Sequence, residues 1–374
     1  MSHKILFSGY YGFDNSGDDA ILQAIVSNLR DRDPSLDLSV LSFNPKRTQR
    51  NYQIKGVQRF QFSATRQALK ETDLLISGGG SLLQDVTSSR SLYYYLSIIA
   101  QAKRYKKKVY IYANGVGPIN RPFNRWLTRK ILNKVDYITL RDQGSLKTLE
   151  DIGVQGPPME VTADPVYSLK KLDQEVIQGI LRAEGIPQDG PSIGVALREW
   201  KATPSLTTKL AHVLDQVHEA LGLPLVFIPL HYPKDLYFSE KVRAKMIHQR
   251  AAYVVRGDYS AQEVMGLIGS TDLVLAMRLH GLIYGVTEAV PPVGLVYDPK
   301  VSSHLEDLGI GEAVQVEDFN TRALADMLVE VYQDRREKSR RLLSQRDQLK
   351  RKNDRNVDHV FELLEGIHEE NKNF

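Results

Sequence analysis

Cysteine is absent from all 374 residues of the sequence. Neither a disulfide framework nor a thiolate metal site can therefore form, and the absence fits a reducing compartment. The sequence also lacks the run of about 18 apolar residues that a membrane-spanning helix needs. Its first residues lead straight into a short apolar segment at Ile5, without the apolar core of a secretory signal. We therefore expect a cytoplasmic protein.

A strong excess of charge of one sign is missing as well, because the formal net charge is only +4. Lysine and arginine do cluster at 103–108 and 121–134. No recognised nucleic-acid-binding motif accompanies these clusters, so we expect no nucleic-acid partner. Carboxylates form no group typical of a metal site either, and we expect activity without a metal or a cofactor.

Short apolar runs alternate with helix-length segments along the chain, a pattern typical of βα units around parallel sheets. The length of 374 residues exceeds what one hydrophobic core usually serves. A linker rich in glycine and proline lies at 153–158. We therefore predict an α/β protein of two Rossmann-like doubly wound domains, 1–170 and 171–374, that face each other across a cleft. The predicted strands are 5–8, 38–42, 73–77, 109–113 and 137–140, then 193–197, 225–229, 253–255, 273–276 and 293–297.

Cationic side chains follow three predicted strands of the second half: Arg198 after 193–197, Arg278 and His280 after 273–276, and Lys300 and His304 after 293–297. Ligands bind at the carboxyl ends of strands in open α/β sheets. Arginine presents a fixed fork of donors to carboxylate or phosphate, and histidine moves protons near neutral pH. The grouping predicts a site for a small polyanion. In the alternative, Arg198 and Lys300 are surface charges and His280 is a buried, hydrogen-bonded residue.

The first half carries a different chemistry in the glycine-rich loop 9–19. Ser16 is placed to cap a helix that starts near Asp18. Carboxylates in a first helical turn disfavour a phosphate there. Asn15, Asp18 and the tyrosines of the loop fit sugar hydroxyls better, and an aspartate can act as a base toward an alcohol. The alternative is a capped turn with solvent-exposed acids.

Further glycines and polar residues follow the next strands of the first half, at 78–80, 115–118 and 141–142. Consecutive glycines let backbone N–H groups approach a ligand closely. Because these segments follow neighbouring strands, we expect them to line one rim of a site. A basic amphipathic helix is predicted at 122–135. Its apolar face either packs in the core or lies against anionic lipid with Trp126 at the interface.

Taken in order, these motifs resemble the polysaccharide pyruvyl transferase family, and most closely its CsaB-type cell-wall enzymes. The resemblance is carried by the loop 9–19, the glycines 78–80, the segments 115–118 and 141–145, Asp164-Pro165, Arg278-Leu279-His280, and Tyr297 with Lys300. It spans about residues 4–304.

The resemblance implies a GT-B-like fold and transfer of pyruvate from phosphoenolpyruvate to a sugar, as a 4,6-linked cyclic ketal. The implied acceptor is a lipid-linked saccharide that contains N-acetylmannosamine, a precursor of secondary cell-wall polysaccharide whose ketal anchors S-layer proteins. The enzyme would then work at the inner face of the cell membrane. The implied donor residues are Arg278 and Leu279, with Arg198 or Arg141 completing the site. From the chemistry of the residues we expect His280 or Lys300 to be the general acid, and Asp18 or another rim carboxylate to orient or deprotonate the acceptor. The other expected acceptor residues are Asn15, Tyr11, Gly79 and Gly80.

Two other functions stay open at this point. A GT-B glycosyltransferase with a nucleotide-sugar donor would use a glutamate to hold the ribose, and Glu288 is the candidate. A non-catalytic carbohydrate-binding protein would not need arginine and histidine grouped at one strand end.

Overall fold

The computed structural model describes residues 2–86, 88–200, 205–297, 301, 305 and 312–372, with side chains as far as residue 367. The chain divides into two compact units. The first comprises Met1–Asp14, Asp18–Leu169 and Leu349–Phe374, and the second comprises Asn15–Gly17 and Lys170–Gln348. The end of the chain thus belongs to the first unit, whereas the sequence had placed it in the second domain.

The first unit is built on a parallel sheet with the strand order β3-β2-β1-β4-β5-β6-β7. The strands are β1 (Lys4–Ser8), β2 (Asp37–Ser42), β3 (Lys55–Gln58), β4 (Leu74–Gly78), β5 (Lys108–Asn114), β6 (Tyr137–Leu140) and β7 (Met159–Val161). The five predicted strands of this half are confirmed. The sequence missed β3 and β7, which are the two edge strands and offer too few apolar residues for a period-two signal.

Six helices of the first half connect these strands: α1 (Ser16–Arg32), α2 (Pro45–Tyr52), α3 (Phe62–Glu71), α4 (Ser89–Arg104), α5 (Pro122–Leu132) and α6 (Gln143–Asp151). Local capping explains several of their ends. Asn44 accepts a hydrogen bond from the Arg47 amide at the start of α2, and Asp142 accepts one from the Ser145 amide at the start of α6. Leu92, Leu96 and Ile99 of α4 recur at helical spacing and pack into the core.

The second unit contains another parallel sheet, with the order β10-β9-β8-β11-β12-β13. Its strands are β8 (Ile193–Ala196), β9 (Leu225–Phe227), β10 (Ala252–Val254), β11 (Leu273–Ala276), β12 (Pro292–Val296) and β13 (Glu312–Gln315). The five predicted strands of this half are confirmed, and the edge strand β13 was missed. The helices are α7 (Gln174–Ala183), α8 (Leu206–Leu221), α9 (Lys234–Arg243), α10 (Ala261–Gly269), α11 (Leu279–Glu288) and α12 (Thr321–Gln333).

The long last helix, α13 (Arg335–Lys372), ends the described chain. Its residues from Leu349 onward belong to the first unit, where polar side chains fix it. The Asn353 amide donates to Ser168 Oγ at 2.7 Å, and the Thr162 hydroxyl donates to Asn356 at 2.8 Å. Asn353 and Asn356 are fully buried. The helix is therefore held by specific hydrogen bonds.

Strand order reverses once in each sheet, between β1 and β4 and between β8 and β11. Such a reversal opens a crevice outside the carboxyl ends of the two strands, where doubly wound sheets bind ligands. The residues after these four strands are therefore the candidates for ligand binding in each unit. Among the described residues, no helix combines the length and apolar character that crossing a membrane requires.

Candidate active site

Two arginines lie together at the reversal point of the second sheet. Ala196 and Ala276 are paired in the register between β8 and β11. Arg198 and Arg278 each follow two residues later, so both leave the sheet at the same edge. The predicted convergence of these two strand ends is thus what the register produces. Lys300 and His304, predicted to join them, lie outside the described residues.

Arg278 is held by Asp235, in the first turn of α9. The guanidinium donates from Nε and Nη2 to the two carboxylate oxygens, at 2.6 and 2.7 Å. The Asp235 side chain is 2% exposed and that of Arg278 is 15% exposed. This bidentate pair fixes the orientation of Arg278 and uses two of its five N–H donors. The three remaining donors can bind an anionic ligand. Sequence reasoning missed Asp235.

His231 is a second residue that sequence reasoning missed. It follows β9 at the same edge of the sheet, and its backbone amide donates to Asp235 at 2.9 Å. Burial lowers the pKa of His231, and the positive charges of Arg278 and Arg198 lower it further. The lowered pKa keeps the imidazole neutral near pH 7, so one of its ring nitrogens can accept a hydrogen bond beside the two guanidinium groups. Extending the predicted strand 225–229 by two residues would have exposed this signal.

Arg198 is oriented by aromatic side chains. Its Nη1 donates to the Tyr297 hydroxyl at 2.6 Å, and its guanidinium carbon lies 4.7 Å from the centre of the Tyr297 ring. The Trp200 ring stacks on Tyr297 with the ring centres 4.1 Å apart. Packing and cation–π contact therefore hold Arg198, and no carboxylate of the described residues neutralises its charge. Its Nε makes no hydrogen bond.

His280 lies in the first turn of α11, directly after Arg278 and Leu279. This turn places the positive end of the helix dipole at the carboxyl end of β11, an arrangement that favours anions. Gly17 packs against His280, because a Cβ atom at Gly17 would lie 2.2 Å from His280 Nδ1. The neighbouring Ser16 hydroxyl hydrogen-bonds the Tyr284 hydroxyl at 2.8 Å. Residues 15–17 thus pack on α11 as part of the second unit.

The helix after the glycine-rich loop starts earlier than predicted. The first helical residue of α1 is Ser16, and Asn15 stands just before it. Asn15 accepts a hydrogen bond from the Gly17 amide at 3.3 Å, and its backbone forms a β-bridge with His231. Asn15 therefore supplies the side-chain oxygen at this helix start, in the place predicted for Ser16. Its backbone position is fixed beside His231.

Two carboxylates occupy the first turn of α1. Asp18 lies against Gly80, since a Cβ atom at Gly80 would be 2.8 Å from Asp18 Oδ1. Gly80 follows β4, so Asp18 stands at the reversal point of the first sheet. Burial and the adjacent Asp18 charge raise the pKa of Asp19 to about 7. Asp19 therefore gains and loses its proton near neutral pH, a property that the sequence alone did not reveal.

Two other residues predicted to line the acceptor site make hydrogen bonds and packing contacts inside the first unit. Tyr11 is 1% exposed, and its hydroxyl donates to the Gly78 carbonyl at 2.7 Å. The Gly79 amide donates to the Tyr112 carbonyl, and a Cβ atom at Gly79 would lie 2.0 Å from Ile21. Tyr11 and Gly79 therefore act in packing the sheet against α1. The predicted hydroxyl contact between Tyr11 and a sugar does not fit this geometry.

Arg141 is also tied inside the first unit. It is 8% exposed and donates to Asp164 at 3.1 Å and to Ser81 Oγ at 2.9 Å. Asp164 is fully buried. The contact with Asp164 ties the loop after β6 to the segment after β7, and the contact with Ser81 ties it to the loop after β4. We assign Arg141 to these structural contacts. Arg198 is then the arginine that accompanies Arg278.

Within the described parts of the chain, no three histidine or carboxylate side chains are grouped so that they could hold a metal ion. The rival ribose-binding residue, Glu288, ends α11 and forms an ion pair with Lys171. A helix of ten residues is about 15 Å long. Glu288 is thus remote from the first turn of α11.

Solved structures similar to this chain share its fold. A putative UDP-N-acetylglucosamine 2-epimerase from Listeria monocytogenes matches with a TM-score of 0.68 and 10% identity, over 99% of this chain and 98% of its own. A glycosyltransferase from Rickettsia africae matches with a TM-score of 0.64 and 13% identity, over 97% of this chain and 99% of its own. With two doubly wound parallel sheets, the chain has the GT-B-like fold.

The sequence comparison defines the family. The model of the family described as polysaccharide pyruvyl transferase matches residues 15–299. The chain therefore belongs to the polysaccharide pyruvyl transferase family and is a transferase of polysaccharide biosynthesis. Among curated proteins it is similar to the amylovoran biosynthesis protein AmsJ of Erwinia amylovora, with 20% identity over 366 residues that cover 83% of this chain and 87% of the relative.

Proposed function

We propose that the protein transfers pyruvate from phosphoenolpyruvate to two hydroxyls of one sugar, forming a 4,6-linked ketal and releasing inorganic phosphate. The observation that carries the proposal is the pair Arg198 and Arg278 after the register-matched Ala196 and Ala276, beside the first turn of α11. Fixed guanidinium groups and the positive end of a helix dipole in one place suit a ligand with both carboxylate and phosphate.

The charges of this site support such a donor. Phosphoenolpyruvate carries about three negative charges near pH 7, since its second phosphate pKa lies near 6. Arg198 and Arg278 supply two positive charges, and Asp235 offsets one of them. The first turn of α11 adds the positive end of a helix dipole. We propose Lys300, which follows β12 in the sequence, as the further cation of the donor site.

The reaction needs one proton delivered and two removed. Phosphoenolpyruvate must be protonated at C3, after which a sugar hydroxyl attacks C2, phosphate leaves, and a second hydroxyl closes the ring. The first hydroxyl loses its proton on attack and the second loses its own on closure, so one proton remains for the departing phosphate after C3 has been supplied. General acid and base groups are therefore both required. We propose His280 or Lys300 as the acid that also assists phosphate departure, and Asp18 as the group that orients or deprotonates the acceptor.

We propose two further groups for this scheme. His231, whose pKa is lowered, is neutral near pH 7 and can accept a hydrogen bond beside Arg278. Asp19, whose pKa is raised to about 7, can take up and release the proton that Asp18 removes from the acceptor. Both pKa shifts follow from burial and neighbouring charge, and each group lies next to a residue already proposed for the site.

We propose that the acceptor is a lipid-linked saccharide with an N-acetylmannosamine residue, as in the CsaB-type enzymes, and that its ketal serves S-layer anchoring. The protein would then act at the cytoplasmic face of the cell membrane. Exposed aromatic residues of α5 support contact with lipid, since Phe123 is 58% and Trp126 is 44% exposed. Lys130 Nζ lies 4.8 Å from the centre of the Trp126 ring, so cation and aromatic share one face.

A nucleotide-sugar donor is the second candidate. It is favoured by the fold, because solved structures that resemble this chain include a glycosyltransferase and a UDP-N-acetylglucosamine 2-epimerase. It is disfavoured by Glu288, whose carboxylate is paired with Lys171 at the far end of α11. Calorimetric titration of the purified protein separates the two donors. We expect saturable binding of phosphoenolpyruvate and none of UDP-N-acetylglucosamine, and the reverse result would establish the second candidate.

Titration of two variants tests whether Arg278 binds the donor. Arg278→Ala removes the proposed contact with the donor and should weaken phosphoenolpyruvate binding at least about tenfold, which corresponds to 1.4 kcal/mol. Arg322→Ala is the matched control, because Arg322 is an exposed arginine of α12 that pairs only with the nearby Asp326 among described carboxylates. If both variants bound phosphoenolpyruvate with equal affinity, Arg278 would not be a donor-binding residue.

A further inference from the structure

A row of aromatic side chains crosses the carboxyl edge of the first sheet. The Tyr10 and Phe13 rings stack with their centres 4.2 Å apart, and Phe13 stacks on Phe43 at 4.7 Å. Phe43 meets Phe60 edge to face at 6.3 Å, and Phe60 meets Tyr94 at 5.9 Å. We call these five rings the aromatic row. Phe43 is 50% exposed and Phe60 is 64% exposed, so the row offers ring surface to solvent.

The position of the aromatic row follows from the sheet. Tyr10 and Phe13 follow β1, Phe43 follows β2, and Phe60 follows β3. These three strands are neighbours in the order β3-β2-β1. The row therefore occupies the ligand-binding edge of the sheet, and it begins in the same loop that leads to Asp18. It is continuous with the surface already proposed for the acceptor.

Arg59 holds the aromatic row from behind. It is 5% exposed, and its guanidinium carbon lies 5.1 Å from the ring centre of Phe13, 5.3 Å from that of Phe60 and 4.5 Å from that of Tyr94. One nitrogen donates to the Gly9 carbonyl at 3.0 Å. No carboxylate in the described parts of the chain pairs with Arg59, so ring faces and backbone offset the cost of burying its charge. The rings are thus fixed before any ligand binds.

We infer that the aromatic row binds pyranose rings of the acceptor glycan beyond the sugar that reacts, with Phe43 and Phe60 as the stacking surface. The inference rests on the proposed function for the identity of the acceptor. The flat face of a pyranose carries C–H groups, which pack against the electron-rich face of an aromatic ring. Rings held in place by Arg59 lose little conformational freedom on binding. The row is then a determinant of acceptor length, separate from the reacting centre.

Acceptors of two lengths test the inference. The probes are the methyl glycoside of N-acetylmannosamine and a tetrasaccharide with N-acetylmannosamine at its reacting end. In the variant Phe43→Ala/Phe60→Ala, we expect the ratio of the tetrasaccharide KM to the methyl glycoside KM to rise about tenfold, equivalent to 1.4 kcal/mol. The single variant Phe60→Tyr keeps a ring face, so its ratio of the two KM values should stay close to that of the wild type. Phe62→Ala is the matched control, because Phe62 is 70% exposed and lies outside the row.

A binding measurement without donor separates this inference from the proposed function. Saturation-transfer NMR of the tetrasaccharide should show contact with the wild-type protein and with Phe62→Ala, and its loss in Phe43→Ala/Phe60→Ala. Tetrasaccharide binding that depends on both phenylalanines, without any pyruvate transfer, would uphold the row and refute the proposed function. Pyruvate transfer with the same KM ratio in all variants would overturn the row. If Phe43→Ala/Phe60→Ala lost binding to anionic phospholipid vesicles but bound the tetrasaccharide as the wild type does, the row would be a membrane contact. That result would also overturn the inference.

Discussion

The guanidinium of Arg278 and the carboxylate of Asp235 form a bidentate ion pair in the second unit, across 43 residues of sequence. Asp235 also accepts a hydrogen bond from the backbone of His231. One buried carboxylate thus positions the arginine proposed for donor binding and the loop of a neighbouring histidine. It also lowers the net positive charge of the site, which reduces the free-energy cost of burying Arg278 when no donor is bound.

Removing Asp235 should destabilise the protein strongly. Asp235→Ala leaves Arg278 without its counter-charge in a largely buried place, and we expect a loss of about 3 kcal/mol in the free energy of unfolding. Urea denaturation followed by circular dichroism measures it. Asp326→Ala is the control, since it removes an exposed ion pair on α12 that should contribute less than about 0.5 kcal/mol. Similar losses in the two variants would show that the Asp235 pair is not structurally important.

A methyl group at Gly17 should disturb His280. Gly17→Ala places a Cβ atom 2.2 Å from His280 Nδ1, so the imidazole must move. Because His280 is one of the two residues proposed as the general acid, turnover should fall at least about tenfold, a part of the roughly 10²–10⁴-fold that general acid–base catalysis contributes. Phosphate release measures turnover. His280→Ala should abolish it while the protein stays folded.

Gly179→Ala provides the comparison for this experiment. It adds the same methyl group within α7, where nothing lies within 4 Å of the new Cβ atom. Its turnover should equal that of the wild type, and its stability should rise slightly because alanine favours a helix. Full turnover in Gly17→Ala or His280→Ala would exclude His280 as the acid.

The raised pKa of Asp19 predicts a pH dependence of stability. In the unfolded chain, this carboxyl has a pKa near 3.9. Its pKa in the folded protein is about 7, so between these values the folded state holds the extra proton. The free energy of unfolding should therefore fall as pH rises from about 4 to 7, through this group. Asp19→Asn should remove that part of the slope in urea denaturation at pH 5 and pH 8. A variant with the wild-type slope would contradict the raised pKa.

Catalysis should proceed without a divalent metal. The proposed site stabilises the donor with guanidinium groups and a helix N-terminus, which take the role that Mg²⁺ often has toward phosphates. We expect the rate of phosphate release in excess chelator to stay within about twofold of the untreated rate. Inhibition by chelator that magnesium reverses would overturn this expectation.

Much of the fold and part of the site could be predicted from the sequence. Buried parallel strands are continuous apolar runs, so the central strands were found, and the positions of Arg198 and Arg278 after their strands were then fixed by topology. The edge strands β3, β7 and β13 are short and partly polar, which leaves no comparable signal. Short edge strands also explain why the strand order could not be read in full.

The sequence did not predict which side chains pair with each other. The pairing of Arg278 with Asp235 depends on where α9 begins relative to β11, and local sequence does not determine that. Arg141 and Asp164 present the same case, since only the packed structure shows that each neutralises the other. Tyr10 and Tyr11 are adjacent in a loop, yet Tyr10 joins the aromatic row and Tyr11 is buried, with its hydroxyl bonded to the Gly78 carbonyl.

Mass spectrometry of an acceptor incubated with phosphoenolpyruvate tests the central claim most directly. The acceptor is a synthetic lipid-like disaccharide that ends in N-acetylmannosamine. We predict a product heavier than the acceptor by one pyruvic acid less one water, with one phosphate released for each product molecule, and neither in the Arg278→Ala variant. An unmodified acceptor, together with transfer of a sugar from UDP-N-acetylglucosamine, would contradict the account.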